Sequence, residues 1–314
     1  MFDYLKIFPI FFFYTLPTFV RMNTTTSQET EAIRATTEID LDAYLQRIGY
    51  TGERTPTLET LRSIQRLHVE TFPFENLNPL LGIPVLLDID ALQRKMIYGG
   101  RGGYCFEQNR LLSFVLKALG FRVRGLAARV LWNVPEGETK PITHQVLRVE
   151  VGDESYLVDV GFGGLSPTGP LRLALHTVQT TPHEPFRLIE LDDELVIQAY
   201  VKEEWKSLYR LTLREFRLPD YQMFSWYLCT YPGSYFTSSL AVARTIPDRR
   251  YGLRNTLLTI HHLGGASEQR ELTSVAEFRT VLKDIFQIQL PEAPNLDPTL
   301  QRLIDEAAAA KITA

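Results

Sequence analysis

A glycine pair followed by a cysteine at the start of an apolar helical run constrains this chain more than any other feature. The stretch reads RGGYCFEQN from Arg101 to Asn109. The apolar spacing after it predicts a helix that begins at Cys105 and stops at Gly120, since glycine is favoured just past a helix end. Free backbone N–H groups and the helix dipole favour a thiolate at such a start, and the thiolate is the nucleophile. The alternative is an inert buried thiol, because free cysteine is among the most buried residue types.

A reactive cysteine needs a base, and the base needs a group that orients it. His144 opens one predicted strand and Asp159 lies in the next, with a two-residue turn at 152–153 between them. In that register the two side chains share one face of the hairpin as diagonal neighbours, about 7–8 Å apart. Asp159 sits in an apolar strand, where an unpaired carboxylate is costly, so an imidazole partner explains it. The alternative is an aspartate that faces water, because a one-residue slip would put the pair on opposite faces.

These residues belong to a longer set of sequence blocks that resembles the arylamine N-acetyltransferases of bacteria. The blocks keep that family's order and about its spacing, and the similarity spans roughly Ile39 to Leu290. They are Phe72–Leu77 (FPFENL), Arg101–Asn109 (RGGYCFEQN), Thr143–His144 (TH), Val158–Gly163 (VDVGFG) and Thr230–Phe236 (TYPGSYF). The cysteine block is long and specific, and it carries the resemblance together with the histidine and aspartate blocks.

The resemblance implies an α+β fold with a cysteine-protease-like Cys-His-Asp core. Its parts are an N-terminal helical bundle, a central β-barrel and a C-terminal α/β lid. We therefore expect the bundle with the nucleophile over residues 39–120, the barrel with the histidine and aspartate over 121–220, and the lid over 221–314. A site formed by the first two parts would lie at a domain junction, which is a common place for pockets.

The resemblance also implies a catalytic triad, with Cys105 as nucleophile, His144 as base and Asp159 as the group that orients the imidazole. The implied reaction is ping-pong. Cys105 takes the acetyl group from acetyl-CoA, the cosubstrate. An arylamine, arylhydrazine or N-hydroxyarylamine then accepts it from the acetyl-cysteine. Backbone N–H groups near Tyr104 and Cys105 are expected to stabilise the oxyanion.

Further contact residues follow from the resemblance alone. Gly161, Phe162 and Gly163 would lie beside the coenzyme, and Phe236 would lie near the coenzyme or the substrate. Phe74 and Phe162 would line the arylamine pocket. The alternatives are a plain turn for the glycines and core packing for each phenylalanine.

Composition limits the other partners. The chain of 314 residues carries a net charge of −4, which gives no electrostatic reason to expect nucleic acid binding. Among its charged residues, Glu75 and Arg101 are expected to pair and to support the cysteine loop. No group of His, Cys and carboxylates has zinc-ligand spacing, so no metal is expected. Two cysteines, one of them the predicted nucleophile, favour a reducing compartment over a disulfide framework, and we expect a cytoplasmic monomer or homodimer.

The N-terminal residues depart from the family pattern. Family members begin near Ile39, whereas this chain has an extension over residues 1–38, with an apolar, aromatic run from Ile7 to Val20. Prolines interrupt the run and no small-residue cleavage site follows, which counts against a signal peptide. The run is also short for a membrane anchor, and no membrane partner is expected. We expect an upstream start codon with Met22 as the true start, followed by a disordered, Thr-rich stretch.

Three other functions fit parts of the same pattern. A thiol hydrolase or transglutaminase-like enzyme uses the same triad, but a hydrolase releases acetate without an amine. A related amide synthase closes a ring instead of moving an acetyl group. A non-catalytic protein that binds coenzyme A belongs to a different class, and it requires that replacement of Cys105 leave function unchanged.

Overall fold

The structure of the chain is a computed structural model that describes residues 38–135 and 137–313. The predicted N-terminal extension, with its expected start at Met22, therefore lies outside the described residues apart from Glu38. All described residues belong to one compact unit. None of the helices in these two ranges is both long enough and apolar enough to span a bilayer.

Helices dominate the first part of the described chain and return in its last third. The helices are α1 (Leu41–Ile48), α2 (Leu58–Thr71), α3 (Leu77–Leu80), α4 (Ile89–Leu92), α5 (Cys105–Ala118), α6 (Leu218–Thr230), α7 (Tyr235–Ser238), α8 (Val275–Thr280) and α9 (Leu296–Thr313). A π-helical turn continues α4 over Gln93–Tyr98, and another continues α8 over Val281–Ile285.

The N-terminal helices begin where the sequence offers side-chain caps. Asp40 accepts a hydrogen bond from the Ala43 N–H at the start of α1. Thr57 accepts one from the Thr60 N–H at the start of α2. Such caps satisfy backbone donors that have no partner inside the helix. The apolar faces of α1, α2 and α5 then pack in one core together with strand residues such as Val149.

The strands of the described chain form two sheets. The strands are β1 (Phe74–Glu75), β2 (Arg122–Val130), β3 (His144–Val151), β4 (Glu154–Val158), β5 (Leu171–Arg172), β6 (Phe186–Leu191), β7 (Glu194–Val201), β8 (Glu204–Leu211), β9 (Ala241–Ile246), β10 (Arg249–Arg254), β11 (Leu257–His262) and β12 (Ser267–Glu271). The seven-stranded sheet has the order β5-β4-β3-β2-β8-β7-β6, and the five-stranded sheet has the order β1-β9-β10-β11-β12.

The seven-stranded sheet curls into a nearly closed barrel. The chain after β5 returns to β6 at the opposite edge, where the His176 N–H donates to the Leu188 carbonyl. The Gln179 N–H donates in the same way to the Phe186 carbonyl. Apolar side chains such as Leu188 and Ile197 fill the interior. The predicted combination of helices with a barrel-like sheet is confirmed, whereas the three-part domain division stays a prediction.

The five-stranded sheet takes its first strand from the N-terminal part of the chain. β1 follows α2 closely, yet its Phe74 pairs with Ala243 of β9. Apolar residues of α8, α9 and strands β9 to β11 form a separate core, which also takes in Leu77 of α3. The cysteine segment therefore contacts both sheets: α5 packs on β2 and β3, and the Gly103 carbonyl accepts the Glu75 N–H of β1.

Candidate active site

Cys105 is the first residue of α5, as the sequence predicts, and it is 4% exposed. The chain reaches it through Gly102, where a Cβ would lie 1.8 Å from the Pro73 carbonyl oxygen. Inside the helix, the Glu107 carboxylate turns back and accepts the Tyr104 N–H at 3.1 Å. The glycine and this cap together define how the chain approaches α5.

Four charged side chains support this approach, three of them buried and the fourth, Lys95, half-buried. Arg101 pairs with Glu75 at 2.8 Å, which confirms the predicted ion pair. Lys95, which sequence reasoning missed, lies 2.7 Å from Glu107 and 3.5 Å from Glu75. Burial raises the pKa of Glu75, but Lys95 and Arg101 outweigh it, so this pKa lies below its usual range. Burial keeps the pKa of Glu107 above its usual range despite the nearby ammonium group.

The hairpin of β3 and β4 brings His144 and Asp159 together. Its register pairs Val151 with Glu154, which confirms the predicted two-residue turn. His144 is the first residue of β3, and Asp159 directly follows the last residue of β4. The His144 Nε2 atom lies 2.7 Å from Asp159 Oδ2, so the predicted contact between the two side chains is present.

Two further groups hold the Asp159 carboxylate. Asn109 Nδ2 donates to its Oδ1 atom at 2.9 Å, and the Gly161 N–H donates to the same oxygen at 2.8 Å. Burial raises the pKa of Asp159, but the charge of His144 and these hydrogen bonds outweigh it, so the pKa lies below its usual range. Sequence reasoning missed this role of Asn109. The signal was its position one helical turn after Cys105, which puts both residues on one face of α5.

The Cys105 thiol completes this row of side chains. Its Sγ atom lies 3.4 Å from the Thr143 carbonyl oxygen, and Cys105 is near enough to His144 to raise the pKa of the imidazole. Because Asp159 occupies Nε2, Nδ1 is the ring nitrogen left for the sulfur. Burial lowers the pKa of His144, but Asp159 and then Cys105 raise it by more, to about 10. The imidazole is therefore protonated at neutral pH, and it places a positive charge beside the sulfur.

Two aromatic rings border the imidazole of His144. Phe162 lies edge-on to it with 5.5 Å between ring centroids, and Tyr209 lies at 4.9 Å. Burial, followed by the charge of Asp159, raises the pKa of Tyr209 well above its usual range, so this phenol stays neutral. Sequence reasoning named Phe162 and missed Tyr209. Tyr209 lies in β8, and no sequence motif surrounds it. It contacts the imidazole because the order of strands in the barrel brings β8 near β3.

The other two predicted aromatic residues, Phe74 and Phe236, contact each other near the segment that carries Cys105. Phe74 and Phe236 are half-buried, with 6.1 Å between their ring centroids. Phe236 also packs edge-on against Tyr104 at 5.6 Å, and both phenylalanines pack against the apolar cluster that contains Cys105. These rings therefore lie next to the nucleophile segment, and their contact with a ligand stays a prediction.

The two predicted glycines use their N–H groups inside the protein. The Gly161 N–H is bonded to Asp159, and the Gly163 N–H donates to Ser166 Oγ at 3.0 Å. Neither amide is an unused donor that faces a ligand. A contact of these glycines with a coenzyme stays a prediction, and it would have to use groups other than these two amides.

Other titratable groups lie outside this row. His68 is fully buried and bonded at both ring nitrogens, to the Tyr44 hydroxyl and to Gln108 Oε1, each at 2.8 Å. Burial lowers its pKa to about 4. Cys229 is a free thiol 3.4 Å from the Tyr104 hydroxyl. Within the described ranges, no group of His, Cys, Asp and Glu is arranged to hold a metal ion.

Comparison with known proteins gives the class of the chain. Residues 57–295 match the family model described as N-acetyltransferase, which is well over half of the chain. The fold, with its nearly closed barrel and its helix-borne cysteine, is thus that of an N-acetyltransferase.

The relatives narrow the class to one family. The chain is 42% identical over 275 residues to the arylamine N-acetyltransferase of Mycobacterium tuberculosis, a match that covers 86% of this chain and 96% of that protein. It is 43% identical over 263 residues to that of Mycolicibacterium smegmatis, covering 82% and 95%. The solved structure of the Mycobacterium marinum arylamine N-acetyltransferase in complex with CoA matches with a TM-score of 0.81 at 41% identity, over 84% of this chain and 99% of that one. The chain belongs to the arylamine N-acetyltransferase family, which confirms the resemblance.

Proposed function

We propose that this chain transfers an acetyl group from acetyl-CoA to an arylamine, arylhydrazine or N-hydroxyarylamine through an acetyl-cysteine at Cys105. The observation that carries the proposal is the grouping of Cys105, at a helix start, with His144 and Asp159, in which His144 is hydrogen-bonded to Asp159. Membership of the arylamine N-acetyltransferase family supports the reaction. The CoA complex of the M. marinum relative supports the donor.

In the first half-reaction Cys105 acts as a thiolate beside protonated His144. Its sulfur attacks the thioester carbonyl, so a C–Sγ bond forms as the bond between that carbon and the coenzyme sulfur breaks. The departing sulfur takes the imidazole proton and leaves as free coenzyme A. The first N–H groups of α5, at Cys105 and Phe106, have no partner inside the helix and suit the oxyanion. The Tyr104 N–H does not, because Glu107 accepts it.

In the second half-reaction the neutral imidazole of His144 serves as the base. The amine nitrogen attacks the acetyl carbon, the C–Sγ bond breaks, and Nδ1 takes the proton that the amine loses. This restores the pair of Cys105 thiolate and imidazolium. Asp159 keeps the other ring nitrogen protonated throughout, so Nδ1 remains the proton acceptor on the side of the sulfur. Moving the acetyl group from coenzyme A to Cys105 replaces one thioester with another. The acetyl-cysteine therefore stays reactive towards an amine, which makes cysteine a suitable carrier.

The two ligands would bind on the side of the row where the half-buried aromatic rings lie. Gly161, Phe162, Gly163 and Phe236 are the residues we propose beside the coenzyme. Phe74 and Phe162 are those we propose beside the arylamine. The position of Phe162 against the imidazole supports this assignment, because a flat ring there would hold an aromatic acceptor near the acetyl carbon.

The cytoplasm is the compartment we propose. Both cysteines, Cys105 and Cys229, are free thiols. A reducing compartment keeps a nucleophilic thiol from being lost to a disulfide, which the proposed reaction requires.

Intact mass after mixing the purified chain with acetyl-CoA tests the reaction, with Cys105→Ser and Cys229→Ser alongside. Wild type and Cys229→Ser are expected to gain the mass of one acetyl group, and Cys105→Ser is expected to gain none. An added arylamine should discharge the adduct and appear as its acetyl derivative. Discharge at the same rate in buffer alone would indicate a thiol hydrolase. Absence of both the adduct and coenzyme A release, with amine present, would refute acetyl transfer, and a related amide synthase would then be tested with other acyl donors.

A further inference from the structure

The chain that follows Asp159 makes a tight turn beside the candidate active site. Ser166 closes this turn twice, because its N–H donates to the Gly163 carbonyl and its Oγ atom accepts the Gly163 N–H at 3.0 Å. Gly163 has a φ of 85°, a backbone region that favours glycine. We call residues 163–166 the Gly163 turn. These internal bonds define its shape, whereas its position depends on what holds it from outside.

The Gly163 turn lies between the two rings proposed beside the arylamine. Phe162 directly precedes the turn, and its ring centroid lies 5.5 Å from that of the His144 imidazole. On the other side, a Cβ atom at Gly163 would lie 3.4 Å from the ring of Phe74. The position of the turn therefore sets the gap between the Phe74 and Phe162 rings.

A buried arginine of the five-stranded sheet holds the Gly163 turn. Arg250 of β10 is 3% exposed, and its Nη2 atom donates to the Ser166 carbonyl at 3.1 Å. Among residues 38–135 and 137–313, no other segment hydrogen-bonds to this turn. Gln65 Nε2 holds the chain just beyond it, through the Pro167 carbonyl at 2.9 Å. Arg250 is thus the hydrogen-bonding group that fixes where the turn lies.

The guanidinium of Arg250 is itself held in one orientation. Its Nε atom lies 2.9 Å from Glu184 Oε1 and its Nη2 atom lies 2.6 Å from Glu184 Oε2, which is a two-oxygen pair. Its Nη1 atom donates to Thr245 Oγ1 at 2.9 Å. A lysine ammonium is a single point of charge and could not make all of these bonds together. Through Arg250, the position of β9 and β10 is therefore passed on to the turn.

We propose that Arg250 is a positioning residue for the aryl acceptor. By holding the Ser166 carbonyl, it fixes the Gly163 turn and so the gap between Phe74 and Phe162 that receives the arylamine. The inference rests on the acetyl transfer proposed above, which gives this gap its role. The orienting carboxylate of the active site is held by other groups, so the effect falls on binding of the acceptor ring.

A purely structural ion pair is the alternative, because breaking a buried pair destabilises a fold whatever else it does. Two variants separate the roles. Arg250→Lys keeps a positive charge beside Glu184 but loses the donor to the Ser166 carbonyl. Glu184→Gln removes the charge pair but leaves that donor in place. The positioning role predicts a change in acceptor use for the first variant, and the structural role predicts it for both.

The readout is kcat/KM for 4-methylaniline, which carries a ring, divided by kcat/KM for hydrazine, which carries none. This ratio should fall about tenfold in Arg250→Lys, because losing a hydrogen bond from a charged group lowers the population of the correctly placed turn by about that factor. In Glu184→Gln the ratio should stay near the wild-type value, although the midpoint of urea unfolding falls. Arg249→Gln is the matched control, because Arg249 is the preceding residue of β10 and pairs with Asp248 instead. An unchanged ratio in Arg250→Lys would overturn the inference, as would an equal fall in Glu184→Gln.

Ser166→Ala tests the same turn without touching the arginine. It removes the Oγ atom that accepts the Gly163 N–H, so the turn is loosened from within and the ratio should fall. The double variant with Arg250→Lys should be little worse than either single variant, because both changes act through one turn. An unchanged ratio in Ser166→Ala would overturn the inference even if Arg250→Lys failed to fold, and so would two effects that multiply.

Binding without turnover separates this inference from the proposed function. The Kd for 4-methylacetanilide, the acetylated product, should rise about tenfold in Arg250→Lys and change far less in Glu184→Gln. An unchanged Kd in Arg250→Lys would overturn the positioning role while leaving acetyl transfer intact. If Cys105 takes no acetyl group, the proposed function is refuted, and this titration still decides whether Arg250 positions an aryl-binding gap.

Discussion

Replacing Gly161 by alanine tests whether the end of the β3–β4 hairpin must touch the start of α5. A Cβ at this position would lie 2.6 Å from the Cys105 Cα atom and 2.8 Å from Asn109 Nδ2. The first of these atoms is backbone at a helix start, so it cannot rotate away. Gly161 also donates its N–H to Asp159. One residue thus sets the spacing between the nucleophile and the carboxylate that orients the base.

The size of the effect follows from the displacement. Ordinary contact begins at 3.4 Å, so the hairpin end and the helix start must separate by about 1 Å to admit the methyl group. A misplacement of that size costs on the order of 100-fold in rate. Overpacking of a well-packed region costs about 1–3 kcal/mol, which is less than the 5–15 kcal/mol or so that keeps a typical domain folded. We therefore expect Gly161→Ala to lower kcat/KM about 100-fold in a chain that still folds.

The assay pairs kcat/KM for acetyl transfer with the midpoint of urea unfolding. Gly164→Ala is the matched control, because Gly164 lies in the same loop, is exposed, and an added Cβ there has nothing within 4 Å. The control should match wild type in both measurements. Wild-type kcat/KM in Gly161→Ala would refute the reasoning. So would a loss of activity that appears only together with loss of the folded state, since the predicted cause is local.

The buried histidines give two further expected outcomes. Asp159→Asn removes the charge that most raises the pKa of His144 to about 10, so kcat should fall about 10⁴-fold, as for the matching change in a serine protease triad. Alkylation of Cys105 by iodoacetamide at neutral pH should slow as well, and alkylation at the wild-type rate would contradict this. His68 has a folded pKa of about 4 against 6.5 when unfolded, so the unfolded state binds the proton first and stability is lost as pH falls from 6.5 towards 4. Urea titrations between pH 6.5 and 4 should show the free energy of unfolding of wild type falling by up to about 3 kcal/mol more than that of His68→Gln. If the free energies of the two proteins fall in parallel with pH, His68 is not the cause.

The geometry around the cysteine was predictable because its determinants are neighbours in the chain. The glycine pair and the apolar spacing after it place the start of α5 at Cys105. The two-residue turn between β3 and β4 sets their register, and the register decides which side chains share a face. His144 and Asp159 therefore meet as expected, although they approach more closely than diagonal strand neighbours do. The reason is that the β4 ladder ends at Val158, so Asp159 is free to turn towards the imidazole.

Contacts between distant segments had no such signal. Lys95 reaches Glu107 from a π-helical turn that no motif marks. Tyr209 meets the imidazole because β8 and β3 lie on either side of β2 in the barrel. Each of these features depends on how the chain closes over long separations, which alternation and turn residues do not encode.

The start of α5 is held by parts of the chain that carry none of the reacting groups. The Gly103 carbonyl accepts the β1 N–H of Glu75 at 3.2 Å, which connects the segment to the five-stranded sheet. The Tyr104 hydroxyl lies 2.5 Å from Ser225 Oγ of α6. Asn109 Nδ2 donates to the Gln145 carbonyl of β3 at 2.7 Å. The position of Cys105 therefore depends on contacts with both sheets and with a C-terminal helix.

These contacts explain why three successive polar residues near the start of α5 are buried. Glu107, Gln108 and Asn109 are each no more than 1% exposed. Each side chain hydrogen-bonds to the backbone or to a neighbouring polar group. Gln108 Nε2, for example, donates to the Pro73 carbonyl at 2.9 Å. An apolar first turn would bury as much surface, but apolar burial is not directional, whereas a hydrogen bond loses strength steeply as its angle changes. A nucleophile that must face both a thioester and an imidazole needs its direction set, and buried amide and carboxylate groups set it.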